Sequence, residues 1–143
     1  MPDVIFDFPI NAPRARVFQA VATPEGLDSR WTKRSSGEPT ANSEYVLWFG
    51  PEYDWRAVVS RVTPDAEFEL QLTSAQEDSL GTRVGFVLEE SGRGTKVRFH
   101  HLGWPEENDH YRSSSYCWAM YLRLLVRCVE RGDVVDYDHR LEA

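Results

Sequence analysis

Positive charge is the first thing this chain is short of. Its 143 residues carry 16 Lys and Arg against 23 Asp and Glu, a formal net charge of -7. Phosphate backbones and anionic bilayers both require a basic face, so nucleic acid and charged membrane surfaces are disfavoured as partners. Long apolar runs are missing as well, and nothing approaches the ~20 residues that span a bilayer. The opening MPDVIFDFPI has neither the basic start nor the apolar core of a signal peptide. Only two cysteines occur, Cys117 and Cys128. On one helix they would stand about 16 Å apart at ~1.5 Å per residue, whereas a disulfide tolerates less than about 7 Å between Cα atoms. They read as small core hydrophobes, and the chain reads as a cytoplasmic protein in a reducing compartment.

Catalytic signatures are equally sparse. There is no Gly-x-Ser-x-Gly elbow. Gly92-Arg93-Gly94 lies between two strands and is too short to cradle phosphate. His100, His101 and His110 near Glu106, Glu107 and Asp109 invite a metal reading. Adjacent strand residues point to opposite faces, however, and the spacing matches no familiar ligand set. Neither a metal nor a cofactor is expected.

What the chain does have is 41% apolar and 13% aromatic content, enough for one substantial core. Val4 to Ile10 alternates as a strand. Pro13 opens a helix with Val17, Phe18, Ala20 and Val21 on its apolar side, and Thr23-Pro24-Glu25 caps a second one running to about Arg30. Residues 33 to 43 are polar and rich in turn formers, and read as a loop. Five alternating runs follow, around 44–49, 55–62, 68–72, 84–88 and 97–101, separated by Gly, Pro and Asp turns at hairpin spacing. From Trp104 to Arg131 runs a long amphipathic helix. Tyr121, Cys117, Leu124, Leu125 and Cys128 share one face, with Trp118, Leu122 and Val129 beside it and Arg123, Arg127 and Glu130 behind. Pro105 suits a first turn, Gly132 a C-cap, and Ser113-Ser114-Ser115 a bend. The fold class is therefore α+β, in the order β-α-α-β-β-β-β-β-α. A single domain spans 1–132, and a tail, 133–143, either packs locally or on a partner through Val134, Val135, Tyr137 and Leu141 or is disordered, as termini often are.

This order resembles the START-like (Bet v 1-like, SRPBCC) superfamily. Within it the chain is similar to single-domain relatives of the activator of heat-shock protein 90 ATPase. Four stretches carry the likeness: NAPRARVFQAVATPEGLDSRW, AVVSRVTPDAEFELQLT, GRGTKVRFHHLGW and YCWAMYLRLLVRCVERG. Cys117 departs from the pattern, standing where the family often has Gly. The resemblance implies a helix-grip fold, a curved antiparallel sheet wrapped around the last helix, with a cavity between them that takes apolar ligands.

Inward alternation and the helix face together nominate a pocket lining. From the sheet come Tyr45, Leu47, Trp55, Phe68, Leu70, Phe86, Phe99 and His101; from the helix come Trp118, Tyr121 and Leu125. His101, Tyr45 and Tyr121 are its polar anchors. The leading expectation is a non-catalytic module for a small apolar or lipid-like molecule. A second is a co-chaperone or protein-interaction module with a chaperone as partner. A third is a cyclase-like enzyme with His101 as acid–base. Monomer and homodimer both stay open.

Overall fold

The structure, a computed structural model, describes residues 2–75 and 77–142. Seven strands form one antiparallel sheet: β1 (Val4–Ile10), β2 (Arg34–Ser36), β3 (Glu44–Trp48), β4 (Asp54–Thr63), β5 (Glu67–Ser74), β6 (Arg83–Ser91) and β7 (Gly94–Leu102). Their spatial order is β1-β7-β6-β5-β4-β3-β2. Five of these pairings are hairpin neighbours in sequence. The sixth brings β1 back across the whole chain to β7, with Phe6 opposite Phe99 and Phe8 opposite Val97. Helices α1 (Arg14–Ala22), α2 (Pro24–Arg30) and α3 (Asp109–Arg131) cover one face. The sheet is curved and α3 lies against its inner side, a helix-grip fold.

Six of the seven strands were legible as alternation. β2 was not, because residues 33 to 43 read as a loop. Its three polar residues, Arg34-Ser35-Ser36, carry no apolar signal, and they become a strand only by pairing with Trp48, Leu47 and Val46 of β3. A ladder partner supplied by tertiary structure overrides weak local propensity.

The helix reading needs two corrections. The serine run does not break α3, which continues through all 23 residues. Its packing against α1, α2 and β1 holds the backbone that three serines alone would leave frayed. Its start lies later than Pro105. Asn108 is the N-cap, and its side-chain oxygen accepts from the Tyr111 backbone N–H. Gly132 closes the far end in the left-handed conformation (φ 73°), which costs glycine little.

α1 contributes Val17, Phe18, Val21 and Ala22 to the core, and α3 contributes Trp118, Leu122, Leu125 and Val129. The buried stripe of α3 is thus centred between Leu122 and Leu125, about one residue round from Tyr121. Thr23 caps α2 by accepting from the Gly26 N–H, and Pro24 follows at its first position, as the motif predicts. Beyond α3 the tail forms a short 3-10 helix, Tyr137–Glu142. The Arg140 guanidinium is buried and donates to the backbone carbonyls of Asp28, Thr32 and Val135. The tail is therefore packed on the end of α2. The Leu141 side chain lies outside the described residues.

Candidate functional site

A pocket of about 450 Å3 opens between α3 and the β3–β4 end of the sheet. α3 supplies His110, Ser114, Cys117, Trp118 and Tyr121, a spacing that keeps all five on one side of a helix. The β3–β4 hairpin supplies Phe49, Tyr53 and Trp55. Trp31 comes from the end of α2, Ser79 from the turn before β6, His101 from β7 and Tyr137 from the tail. The wall is a chain of rings. Phe49 sits 5.2 Å from Trp55 and 5.5 Å from Trp31, Trp31 is 5.0 Å from Trp118, and Trp118 is 5.9 Å from Tyr121, centroid to centroid. Tilted and edge-on aromatic contacts of this kind make a stiff apolar surface.

Of the eleven residues nominated from sequence, Trp55, His101, Trp118 and Tyr121 stand around this pocket. Tyr45, Leu47, Phe68, Leu70, Phe86, Phe99 and Leu125 are packed instead into the closed core. The correction has a simple cause. Alternation says which side of the sheet a residue faces, and α1 and α2 fill most of that side. The end beneath the N-terminal half of α3 is left open. Tyr45 is fully buried, and its hydroxyl donates to the Ala22 carbonyl, so it is spent on the fold and does not serve as an anchor. Burial, reinforced by the Glu38 charge, pushes its phenol well above the usual range.

His101 is occupied at both ring nitrogens. The Trp118 indole N–H donates to Nδ1 at 3.0 Å. Nδ1 is thereby an acceptor, which leaves the proton on Nε2, 2.7 Å from the Thr82 hydroxyl. That hydroxyl in turn donates to the Ser79 carbonyl at 2.6 Å. The relay Trp118 → His101 → Thr82 → Ser79 is complete, with every donor used once. Burial, with the neighbouring His100 and His110 adding to it, holds the imidazole down at about 3. A ring that is neutral, buried and doubly bonded positions Trp118 in the wall. It has no free nitrogen for the acid–base role set out above. The adjacent His100 faces the opposite side of the sheet. Its Nε2 lies 2.8 Å from Glu69, which also accepts from Ser60 at 2.7 Å. Burial raises the Glu69 carboxyl, but the His100 and Ser60 hydrogen bonds outweigh it and keep the group below its usual range.

The polar groups of the pocket are therefore others. Burial, with Tyr137 and Cys117 nearby, pushes the Tyr121 phenol up to about 12. It remains a neutral donor, and among the described residues it makes no protein hydrogen bond. His110 sits 3.3 Å from the Asp78 carboxylate. The lining nominated from sequence left out Trp31, Phe49, Tyr53, Ser79, His110, Ser114, Cys117 and Tyr137. The helix members had a usable signal: stepping back from Tyr121 by four, seven and eleven reaches Cys117, Ser114 and His110. The hairpin and tail members had none, since their position depends on distant packing. Among the described residues no three His, Cys, Asp or Glu side chains gather as a metal would require, and no helix is long and apolar enough to cross a membrane.

This architecture has known counterparts. The chain is similar to the solution structure of the Aha1 dimer from Colwellia psychrerythraea, at 28% identity and a TM-score of 0.83, over 93% of this chain and 99% of that one. A Staphylococcus saprophyticus protein gives 20% identity and a TM-score of 0.77, over 94% of this chain and 96% of its own. A Mesorhizobium loti protein gives 18% and 0.77, over 93% and 100%. The last two likenesses speak to the fold alone. No curated protein matches the chain. The family model described as activator of Hsp90 ATPase homolog 1-like protein matches residues 11–130. Sheet, helices and sequence agree over that span, and the chain belongs to the activator of Hsp90 ATPase homolog 1-like family.

Proposed function

We propose that the protein binds a small, largely apolar molecule in the pocket beneath α3, and that it does so without catalysis. The observation that carries this reading is the open, ring-walled space of about 450 Å3, well inside the ~300–1,000 Å3 usual for small-molecule sites. Trp31, Phe49, Trp55 and Trp118 supply apolar contact, and the unspent Tyr121 hydroxyl supplies orientation. The pairing of both His101 nitrogens favours binding over acid–base turnover.

The test is a titration of intrinsic tryptophan fluorescence with 1-dodecanol and 1-naphthol, in the wild type and in Cys117→Trp. Cys117 lines the pocket and is half-buried, so a larger side chain there fills the space from the helix without entering the core. Saturable binding in the wild type, weakened at least about tenfold in the filled variant, is expected. No binding, or binding indifferent to the filling, removes the reading.

A second reading rests on family membership and on the Colwellia relative having been solved as a dimer. A chaperone ATPase is then a protein partner, and a second copy an assembly partner. Chaperone pull-down with an ATPase assay, and light scattering across a concentration series, test the two separately. Absence of stimulation removes the first, and a monomer at every concentration removes the second.

A further inference from the structure

Behind the pocket lies a second, smaller space that the function above does not use. It is small, about 10 Å3, room for roughly one water. Leu27, Phe68, Leu70 and Phe86 wall it, and Trp31 and Trp118 close it on the pocket side. Into it projects Arg30, the last residue of α2, which is 1% exposed. Its Nε and both Nη nitrogens have no hydrogen-bond partner among the described residues. Its guanidinium instead lies over the face of Phe86, 5.2 Å from Cζ to the ring centroid. A buried charge without counter-ion or hydrogen bonds is a rare arrangement in a folded protein.

The polar groups two positions either side of it in the chain make other bonds. The Asp28 carboxylate accepts from Thr32 and Ser35 at 2.6 and 2.7 Å. The backbone carbonyls of Asp28 and Thr32, at the end of α2, are held by the Arg140 guanidinium. Burial pushes Arg30 down to about 9, with the Arg140 charge acting in the same direction and Cys128 against it. That still leaves a cation at neutral pH, and one with five donors preset for a planar oxyanion.

The Trp31–Trp118 pair is the partition between this cation and the open pocket, because both rings line both spaces. Trp118 is pinned through its indole N–H to His101. Trp31 makes no such bond among the described residues and is held by its ring contacts with Phe49 and Trp118, so of the two it is the ring an entering ligand displaces at lower cost.

We infer that the ligand of this protein is an apolar carboxylic acid, its hydrocarbon or aromatic body in the outer pocket and its carboxylate passing Trp31 to pair with the Arg30 guanidinium. The inference rests on the pocket reading above and names its ligand class. It also accounts for the small size of the inner space. Without ligand the partition is shut, and the carboxylate fits only when Trp31 gives way.

The experiment compares dodecanoate with 1-dodecanol, at about pH 8 where the acid is ionised, by calorimetry and tryptophan fluorescence. Wild-type protein and Arg30→Met are used, with circular dichroism confirming the fold of the variant. In the wild type dodecanoate binds at least about tenfold more tightly than dodecanol, with a change in tryptophan emission as Trp31 moves. Arg30→Met brings the acid down to the level of the alcohol and leaves the alcohol within about twofold. The wild-type comparison needs no variant, so the inference stays testable if Arg30→Met fails to fold. Equal binding of acid and alcohol by the wild type, or an acid preference that survives Arg30→Met, overturns the carboxylate assignment and leaves the apolar pocket standing. Binding of neither probe overturns both.

Discussion

The His101 relay makes a pH prediction whose size follows from its burial. The imidazole is 3% exposed and its pKa falls from the usual 6.5 to about 3. The unfolded chain takes up a proton on this residue below about pH 6.5, and the folded chain does not until about pH 3. Stability therefore falls as pH falls through that window, since the unfolded state binds the extra proton. The slope is about 1.4 kcal/mol per pH unit, and the full window corresponds to about 5 kcal/mol. Above about pH 6.5 the contribution is complete and flat. The perturbation is His101→Gln, which does not titrate but carries an acceptor for the Trp118 N–H and a donor for Thr82. Urea unfolding at a series of pH values, wild type minus variant, cancels the carboxylates common to both proteins. The difference is expected to stay constant from neutral pH down to about 6.5, then to shrink by about 2 kcal/mol by pH 5. A difference that stays level across that range would mean that His101 is charged or solvated in the folded state, and the relay would be wrong.

Two further perturbations probe the surroundings of the site. Arg140→Ala removes three hydrogen bonds from a buried guanidinium and is expected to cost the tail's docking about 2–3 kcal/mol. Amide exchange across residues 134–140 should accelerate while the core strands keep their protection, and unchanged exchange would show that the tail is held some other way. Gly85→Ala introduces a Cβ 2.7 Å from both the His100 ring and the Phe68 carbonyl oxygen. It should cost about 1–3 kcal/mol and lift His100 off Glu69. The Glu69 carboxyl, followed by carbon NMR, should then titrate at higher pH than in the wild type; an unmoved Glu69 would place its stabilisation elsewhere.

The structural anomaly that most concerns function is a charge, although the pocket itself is apolar. In a core of this size one unpaired guanidinium is a standing cost, and replacing such a group by an apolar isostere is often stabilising. An unpaired Arg30 is the charge that the proposed carboxylate would neutralise. The same geometry gives the two tryptophans different duties. Trp118 is fixed by His101, and Trp31, at the C-cap of α2, separates the cation from the outer space.

Much of the architecture was legible without coordinates, because it depends on short-range regularities. Period-two alternation identified six strands, the Thr23-Pro24 pair marked the start of α2, and Gly132 marked the end of α3. The family could be read from four local stretches for the same reason. The site was less legible. Alternation placed Tyr45, Phe68 and Phe99 on the inner face, yet a face has no depth in sequence, and the packing of α1 and α2 decided that these are core while Trp55 and His101 reach the pocket. The short strand β2 exists only because β3 lies beside it. His101 became a positioning residue only when Trp118 and Thr82, distant in the chain, met its two nitrogens. Arg30 reads in sequence as an ordinary basic residue at a helix end. Its isolation was decided by tertiary structure alone, because packing against Phe68, Leu70 and Phe86, distant in the chain, buries its guanidinium without a hydrogen-bond partner among the described residues.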